Sequence, residues 1–252
     1  MARGRGCLDG RFGRALDSFF GGGVGCPWGL VSTVASSPRP RPLEFVALAA
    51  PLLWVVLTLL HPGGVGNEPA PYAGIADDAN KWIFVHFAQL VLTPLVAVGV
   101  WMLLDGIQSV AATVARVSLV VWMVFFSAFD AIAGIAVGVL TRYANSLAGN
   151  EQEAVIGAID FLFQDSKFVG GSNYSVLAGF GQLSWVVLVF AATVALWRTD
   201  ASRLIVGAIL LSFLFATHAG YMAAVGMIAL FVAELLTFRA RRGQPVPAPH
   251  PA

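Results

Sequence analysis

The sequence is poor in charge and in cysteine, and both shortages limit what the chain can be. Acidic and basic residues make up only 12% of it, about half the share found in soluble domains. The net charge is +1, so no excess of positive charge indicates nucleic acid as a partner. The two cysteines, Cys7 and Cys26, both lie near the N-terminus. They exclude a disulfide framework and a cysteine-based metal site.

Several motifs of known chemistry are also missing. The sequence has no Gly-rich phosphate loop with its Lys and Ser or Thr, so we do not expect nucleotide chemistry. The patterns H-E-x-x-H, H-x-x-x-H and C-x-x-C are absent as well. A metal site would therefore need ligands from separate parts of the chain.

Apolar residues are abundant instead, at 58% of the chain, and they fall in long runs separated by short polar breaks. This pattern is typical of membrane-spanning helices. We therefore predict an all-α, multi-pass membrane protein embedded in a lipid bilayer. Arginine outnumbers lysine 13 to two, and Ala, Gly and Val are frequent. This usage indicates a GC-rich genome and favours the plasma (inner) membrane of a bacterium.

The last apolar run, Leu204 to Phe238, decides the number of spans. As one helix it would be about 52 Å long, against a hydrocarbon core of roughly 30 Å. Two short spans hinged at His218-Ala219-Gly220 fit better. The sequence therefore predicts a bundle of six transmembrane helices, at about residues 43–60, 82–104, 117–140, 174–197, 204–217 and 221–238. The third span has a candidate extension back to Ser109.

The spans form one transmembrane domain, 43–238, between two tails. Residues 1–42 are rich in Arg, Gly and Pro and are predicted to be disordered. Residues 239–252 form a basic and Pro-rich tail. With both termini in the cytoplasm, twelve of the 15 basic residues lie on the cytoplasmic side. This strong positive-inside bias supports the predicted orientation.

The outer loop between the third and fourth spans is predicted to contain an amphipathic helix. Asn150 is a candidate N-cap, with Glu153 at the capping-box position. One apolar face then contains Val155, Ile156, Ile159, Leu162 and Phe163. Such a helix covers an outward-opening pocket or, more commonly, lies in the membrane interface or packs on the bundle.

Three histidines share one depth in this topology. His61 ends the first span, His86 lies one turn into the second, and His218 is at the tip of the last hairpin. Deeper polar residues are Gln89, Asp130 and Gln182. Since ionisable groups inside a membrane usually face a bundle interior or a water-filled cavity, we predict an outward-facing pocket lined by these six residues.

Each of these residues also has a simpler structural interpretation. His61 can cap the end of a helix, and His218 can be a solvent-exposed turn residue. The two glutamines can form hydrogen bonds between neighbouring helices. Asp130 is the hardest to explain in this way, because a lone carboxyl at mid-membrane needs a partner or a proton. Glu234 is close to Arg239 in sequence and is expected to snorkel to the cytoplasmic face.

Three classes of function fit such a pocket. The first is a site for a metal, a haem or a small polar ligand, with His61, His86 and His218 as metal ligands or His86 and His218 as a haem pair. The second is a proton-coupled carrier of a small solute, with Asp130 as the protonation site. The third is a non-catalytic membrane subunit, or an assembly or sensing protein, whose Arg-rich tails face cytoplasmic partners or anionic lipids.

Overall fold

The computed structural model describes residues 41–62, 71–165 and 175–242, and every regular element in these ranges is helical. The helices are, in chain order, α1 (Arg41–Leu60), α2 (Pro71–Ile75), α3 (Ala79–Leu103), α4 (Val110–Phe129), α5 (Val137–Ala144), α6 (Gly149–Asp160), α7 (Val176–Trp197), α8 (Arg203–Leu211) and α9 (Gly220–Arg242). Short 3-10 segments are Ala76–Asp78 and Ser212–Thr217, and π-helical segments are Asp130–Ala136 and Phe161–Asp165. The predicted tails up to residue 40 and from residue 243 lie outside the described residues.

Five helical stretches in the described part are long and apolar enough to cross a membrane. They are Pro42–Leu60, Pro71–Leu103, Val110–Ala144, Val176–Trp197 and Gly220–Arg242. A sixth apolar stretch, Arg203–Thr217, is shorter. Large apolar side chains on the outside of the helices remain exposed, for example Phe45 at 73% and Phe84 at 60%. Exposed apolar surface of this kind marks contact with lipid or with a partner. These helices indicate a membrane-embedded helical bundle.

Aromatic side chains form the centre of the bundle and join four of its segments. Trp54 of α1 meets Phe215 of the 3-10 segment with ring centroids 5.2 Å apart. Trp122 of α4 meets Trp185 of α7 at 4.9 Å. The Trp185 Nε1–H also donates to the Ser212 carbonyl at 2.9 Å. Each aromatic pair contributes about 0.5–1.5 kcal/mol beyond simple burial.

The last apolar run is broken at the predicted place. His218 and Gly220 both have positive φ values, 49° and 75°, and left-handed residues end a helix. The segment before the break packs against α9. Gly226 has no side chain there, so the backbone of Phe215 lies directly against it. The run is therefore a helical hairpin, with His218 at its turn.

The helix of the outer loop differs from its prediction at the N-terminus. It begins at Gly149, where φ is +60°, and its N-cap is Ala148 without a side-chain cap. The predicted Asn150 cap is therefore wrong, because the chain turns one residue earlier, at a glycine. Ile159 and Phe163 are buried and pack in one cluster with Ile75 and Trp82. The apolar face of α6 thus lies against the bundle.

The two ends of the bundle differ in their side chains. At one end, Arg242 at the end of α9 pairs with Glu44 near the start of α1, and we call this the arginine end. His61, which follows the last residue of α1, lies at the opposite end, and we call that the histidine end. The start of α1 and the end of α9 therefore lie at the same end of the bundle.

Candidate functional site

The structure brings the three predicted histidines together at the histidine end. The ring centroid of His61 lies 5.0 Å from that of His86 and 5.9 Å from that of His218. The three residues come from the end of α1, the second turn of α3 and the turn before α9. Residues 157 positions apart in the sequence therefore share one site because the three helix ends meet there.

Backbone carbonyls fix the orientation of two of these rings. His86 Nδ1 lies 2.8 Å from the Trp82 carbonyl oxygen, and His61 Nδ1 lies 2.9 Å from the Pro62 carbonyl oxygen. A carbonyl can only accept, so Nδ1 carries the hydrogen in both rings and Nε2 keeps its lone pair. The Nε2 of His61 is buried without a hydrogen-bond partner. The site therefore presents one buried acceptor, His61 Nε2, with no matching donor.

His61 and His218 lie beyond the ends of the membrane-spanning helices, and both are neutral imidazoles at pH 7. Burial lowers the pKa of His61, and its hydrogen bond to Pro62 offsets this only in part. Burial also lowers the pKa of His218 to about 4, and the nearby His61 adds to the effect. A neutral imidazole can accept a proton or a cation, and an imidazolium cannot.

A glycine on the π-helical segment lets His86 approach its neighbour closely. A methyl group at Gly134 would overlap the His86 imidazole, and one at Gly138 would meet Trp82 and Ile83. The Trp82 Nε1–H donates to the Gly134 carbonyl at 2.8 Å. These two glycines therefore let the two helices approach closely. As Gly134 faces His86 and Gly138 faces Trp82, the two helices are antiparallel.

Extending this antiparallel pairing by one turn places Asp130 at the level of Gln89 and Leu90 of α3. Asp130 is 0% exposed, and neither of its carboxyl oxygens has a hydrogen-bond partner. Gln89 is also 0% exposed, and its amide oxygen and nitrogen are both unpartnered. Two buried polar side chains thus lie at one level, about one turn below the histidines.

The backbone at this level is also irregular. Asp130 is the first residue of the π-helical segment Asp130–Ala136, and π-helical turns occur frequently at functional sites. On the facing helix, Pro94 lies inside α3. Because proline has no N–H, the carbonyl of Leu90 lacks its usual helical partner. Polar backbone is therefore available beside the Asp130 carboxyl.

Gln182, the sixth predicted residue, lies on α7 and lines a small pocket beside His218. The other lining residues include Phe126, Phe129 and Gly181. The pocket has room for about one water molecule, which is far less than a haem requires. Gln182 and His218 thus line the same small pocket.

The metal prediction meets a difficulty in this arrangement. Among the residues that the structure describes, no group of three or more His, Cys, Asp or Glu side chains is placed so that it could hold a metal ion. The three imidazoles are close, but their donor atoms do not converge on one point. Binding a metal would require at least one ring to turn.

The interpretation of Glu234 as a snorkelling residue was wrong. Glu234 is 0% exposed, and both of its carboxyl oxygens are unpartnered. Its carboxyl lies directly against Gly99 of α3. The rotation of α9 turns Glu234 toward α3, and the sequence separation from Arg239 did not reveal this. The only sequence signal was an acidic residue inside an apolar run.

Comparisons of the chain with protein-family models, curated proteins and solved structures give no match. The class of protein therefore follows from the fold and the site alone. The described residues form a membrane-embedded helical bundle. A histidine cluster lies at one end of it, and two unpartnered carboxyl groups, Asp130 and Glu234, lie inside it.

Proposed function

We propose that this chain is a six-pass protein of the bacterial plasma membrane, with both termini in the cytoplasm. Its outward-facing site, built from His61, His86, His218 and Asp130, binds and transfers protons. The class of activity is the proton-coupled transport of a small solute.

The six-pass topology is supported by the two ends of α1 and α9. The Glu44–Arg242 pair joins the start of α1 to the end of α9, and this supports an even number of passes. In that topology the segment Arg203–Thr217 crosses as well. Its nine α-helical and six 3-10 residues extend roughly 25 Å at the rises of the two helix types. The 3-10 part thus lengthens a segment that would otherwise be too short.

The observation that supports proton binding is the unpartnered carboxyl of Asp130 one turn below the histidine cluster. An ionised carboxylate without a partner is far costlier to bury than the neutral acid. Asp130 therefore holds a proton in this state of the protein. Above it, His61 has a buried Nε2 lone pair without a partner and can accept a proton from outside. A gap of one helical turn, about 5 Å, can be bridged by one water molecule.

Infrared difference spectroscopy of purified protein in lipid at pH 7 tests this role. A protonated carboxyl has a carbonyl stretching band that shifts when the sample is moved into deuterated water. We expect the wild-type protein to show this band and Asp130→Asn to lose a large part of it. The matched control is Glu153→Gln, which removes an exposed carboxyl from α6. This control should keep the whole band, because Glu153 lies outside the buried site.

Two results would contradict the proposal. One is a band of equal size in Asp130→Asn and the wild type, because Asp130 would then be ionised. The other is a band that does not respond to deuterated water, because the site would then have no access to solvent. Either result leaves a membrane subunit without proton chemistry as the better interpretation.

A second candidate function, binding of a transition-metal ion, is supported by the histidine tautomers. Metal-bound histidines usually donate the second ring N–H to a carbonyl or carboxylate, as His61 and His86 do to Pro62 and Trp82. A zinc ion bound at about 2.1 Å by two imidazoles at a tetrahedral angle holds their centroids roughly 5 Å apart. The His61–His86 separation of 5.0 Å has this size, although the rings must turn to converge.

A further inference from the structure

Glu234 is a second buried acid, and it lies toward the end of the bundle opposite the histidine cluster. It is on α9, two turns before Arg241. The side chain is 0% exposed, and neither carboxyl oxygen makes a hydrogen bond. The carboxyl lies directly against Gly99 of α3, where a methyl group would collide with it. Gly99 therefore provides the space that the carboxyl fills.

The segments packed against α9 offer Glu234 no counter-ion. These segments are α1, α3, α8 and the 3-10 segment before the turn. Their charged and histidine side chains lie near helix ends, and Glu44 already pairs with Arg242. The stretches between those ends contain no acidic, basic or histidine residue: Phe45 to Leu60, Phe87 to Leu103, and Leu204 to Thr217. The residues outside these stretches are Glu44 of α1, Lys81 and His86 of α3, and Arg203 of α8.

Glu234 is the first of three contacts that hold α9 against the end of α3. Phe238, one turn later, is buried in one cluster with Met102. Arg241, a further turn on, donates to the Met102 carbonyl at 2.6 Å. The three residues of α9 are spaced i, i+4 and i+7, so they share one face of the helix. This face joins the two helices at the arginine end.

We propose that Glu234 is a second proton-binding site of the protein, and that its proton keeps α9 against α3 at the arginine end. With the proton bound, the neutral carboxyl fills the space at Gly99. When the carboxyl O–H bond breaks, the proton passes to water, and the carboxylate left behind is far costlier to bury without a partner. α9 then moves away from α3, so that the carboxylate reaches water and the contacts of Phe238 and Arg241 open. This site is separate from Asp130 and does not depend on proton transfer at the histidine end.

The thermal unfolding midpoint of the full-length protein in detergent tests the site. From about pH 7.5 to 9, glutamate in an unfolded chain is ionised and histidine is largely neutral. Folding of the wild type therefore takes up a proton at Glu234, and stability falls as the pH rises until the carboxyl ionises in the folded protein. Glu234→Gln keeps the size of the side chain and has no such proton. We expect the wild-type midpoint to fall by about 3–5 °C per pH unit more than that of Glu234→Gln. Glu153→Gln, which removes an exposed carboxyl, should follow the wild type.

Amide hydrogen exchange shows where the proton acts. At a single pH the intrinsic exchange rate of an amide is the same in both variants, so a difference reports opening of the structure. At about pH 9, the ends of α3 and α9 should exchange faster in the wild type than in Glu234→Gln. The helix α6, which packs near Trp82 at the histidine end, should exchange equally in both. At about pH 7 the two proteins should agree at all of these helices, because the wild-type carboxyl then keeps its proton.

Two outcomes overturn the proposal. One is a midpoint that falls with pH equally in Glu234→Gln and the wild type. The other is equal exchange of the ends of α3 and α9 in the two proteins at the higher pH. If Glu234→Gln does not fold, Glu234→Met, which has a similar length and no ionisable group, replaces it and must give the same two differences. Neither outcome changes the infrared band expected from Asp130.

Discussion

The orientation of the His86 ring is controlled from both sides. Its Nδ1–H donates to the carbonyl of Trp82 one turn earlier. The opposite side faces Gly134, which has no side chain to push the ring away. Trp82 is itself held by its hydrogen bond to the Gly134 carbonyl. A ring fixed in this way keeps the Nε2 lone pair pointing in one direction, and this favours binding of a ligand, such as a metal ion, that accepts that electron pair.

Metal binding by this ring is testable with cobalt, whose visible spectrum reports tetrahedral nitrogen ligands. If the second candidate function holds, the detergent-purified protein should bind cobalt stoichiometrically. His86→Gln should weaken binding by at least about tenfold, since even a lost supporting contact has that effect. His250→Gln is the matched control, because His250 is the fourth histidine and lies in the C-terminal tail. Equal affinities in the two variants, or no spectrum in the wild type, would exclude this candidate.

At the level of residues, the sequence could predict how deep a side chain lies in the membrane but not which neighbouring helix it faces. Counting residues along the predicted spans placed His61, His86 and His218 at one depth. In the structure, the ring centroids of His86 and His218 both lie within 6 Å of that of His61. For Glu234 the same counting was misleading, because five residues of helix before Arg239 do not tell which neighbour the carboxyl faces. That direction depends on how α9 packs against α3, where Gly99 leaves room for the Glu234 carboxyl.

The end of α3 shows how one helix depends on distant parts of the chain. A helix terminus leaves its last four carbonyls without intrahelical partners. Arg241 of α9 donates to the carbonyls of Met102 and Leu103. Arg116 of α4 donates to the Leu104 carbonyl at 2.7 Å. Two guanidinium groups therefore cap a helix that has no basic residue in its own last turn.

Arg241→Ala should destabilise the protein by about 1.5–3 kcal/mol, the usual range for hydrogen bonds to a charged group. The thermal unfolding midpoint in detergent measures this loss. Arg239→Ala removes the same charge from an exposed position two residues earlier, so it should change the midpoint little. Similar midpoints for the two variants would mean that the guanidinium does not cap α3.

At the level of elements, hydrophobic runs predicted the long helices well, because length and apolar content are properties of the local sequence. The third span begins at Val110, with the Ser109 hydroxyl accepting from the Ala112 N–H, and the candidate extension of that span reached this residue. The π-helical segment Asp130–Ala136 and the 3-10 segment Ser212–Thr217 had no sequence signal. Both are departures from α-helical hydrogen bonding that depend on packing against neighbouring helices, which a local pattern does not report.

At the level of the whole molecule, an even number of passes has a direct test. A reporter that is active only in the cytoplasm, fused after Ala252, should be active in the six-pass topology. The same reporter fused in the loop between α6 and α7 should be inactive, because the six-pass topology places this loop on the outer side. A five-pass topology with the N-terminus inside reverses the first result. Equal activity at the two positions would mean an even number of crossings after the loop and would contradict the six-pass topology.

The Arg241 cap also has a consequence for the order of events during synthesis. The Leu103 carbonyl that needs this cap is made 138 residues before Arg241. At about 5–20 residues per second of synthesis this interval is roughly 7–28 seconds. During that time the terminal carbonyls of α3 must accept hydrogen bonds from water, lipid headgroups or the insertion machinery. The bundle can therefore reach its final form only when its last helix enters, and a nascent chain that stops before Arg241 exposes an unfinished helix end to quality control.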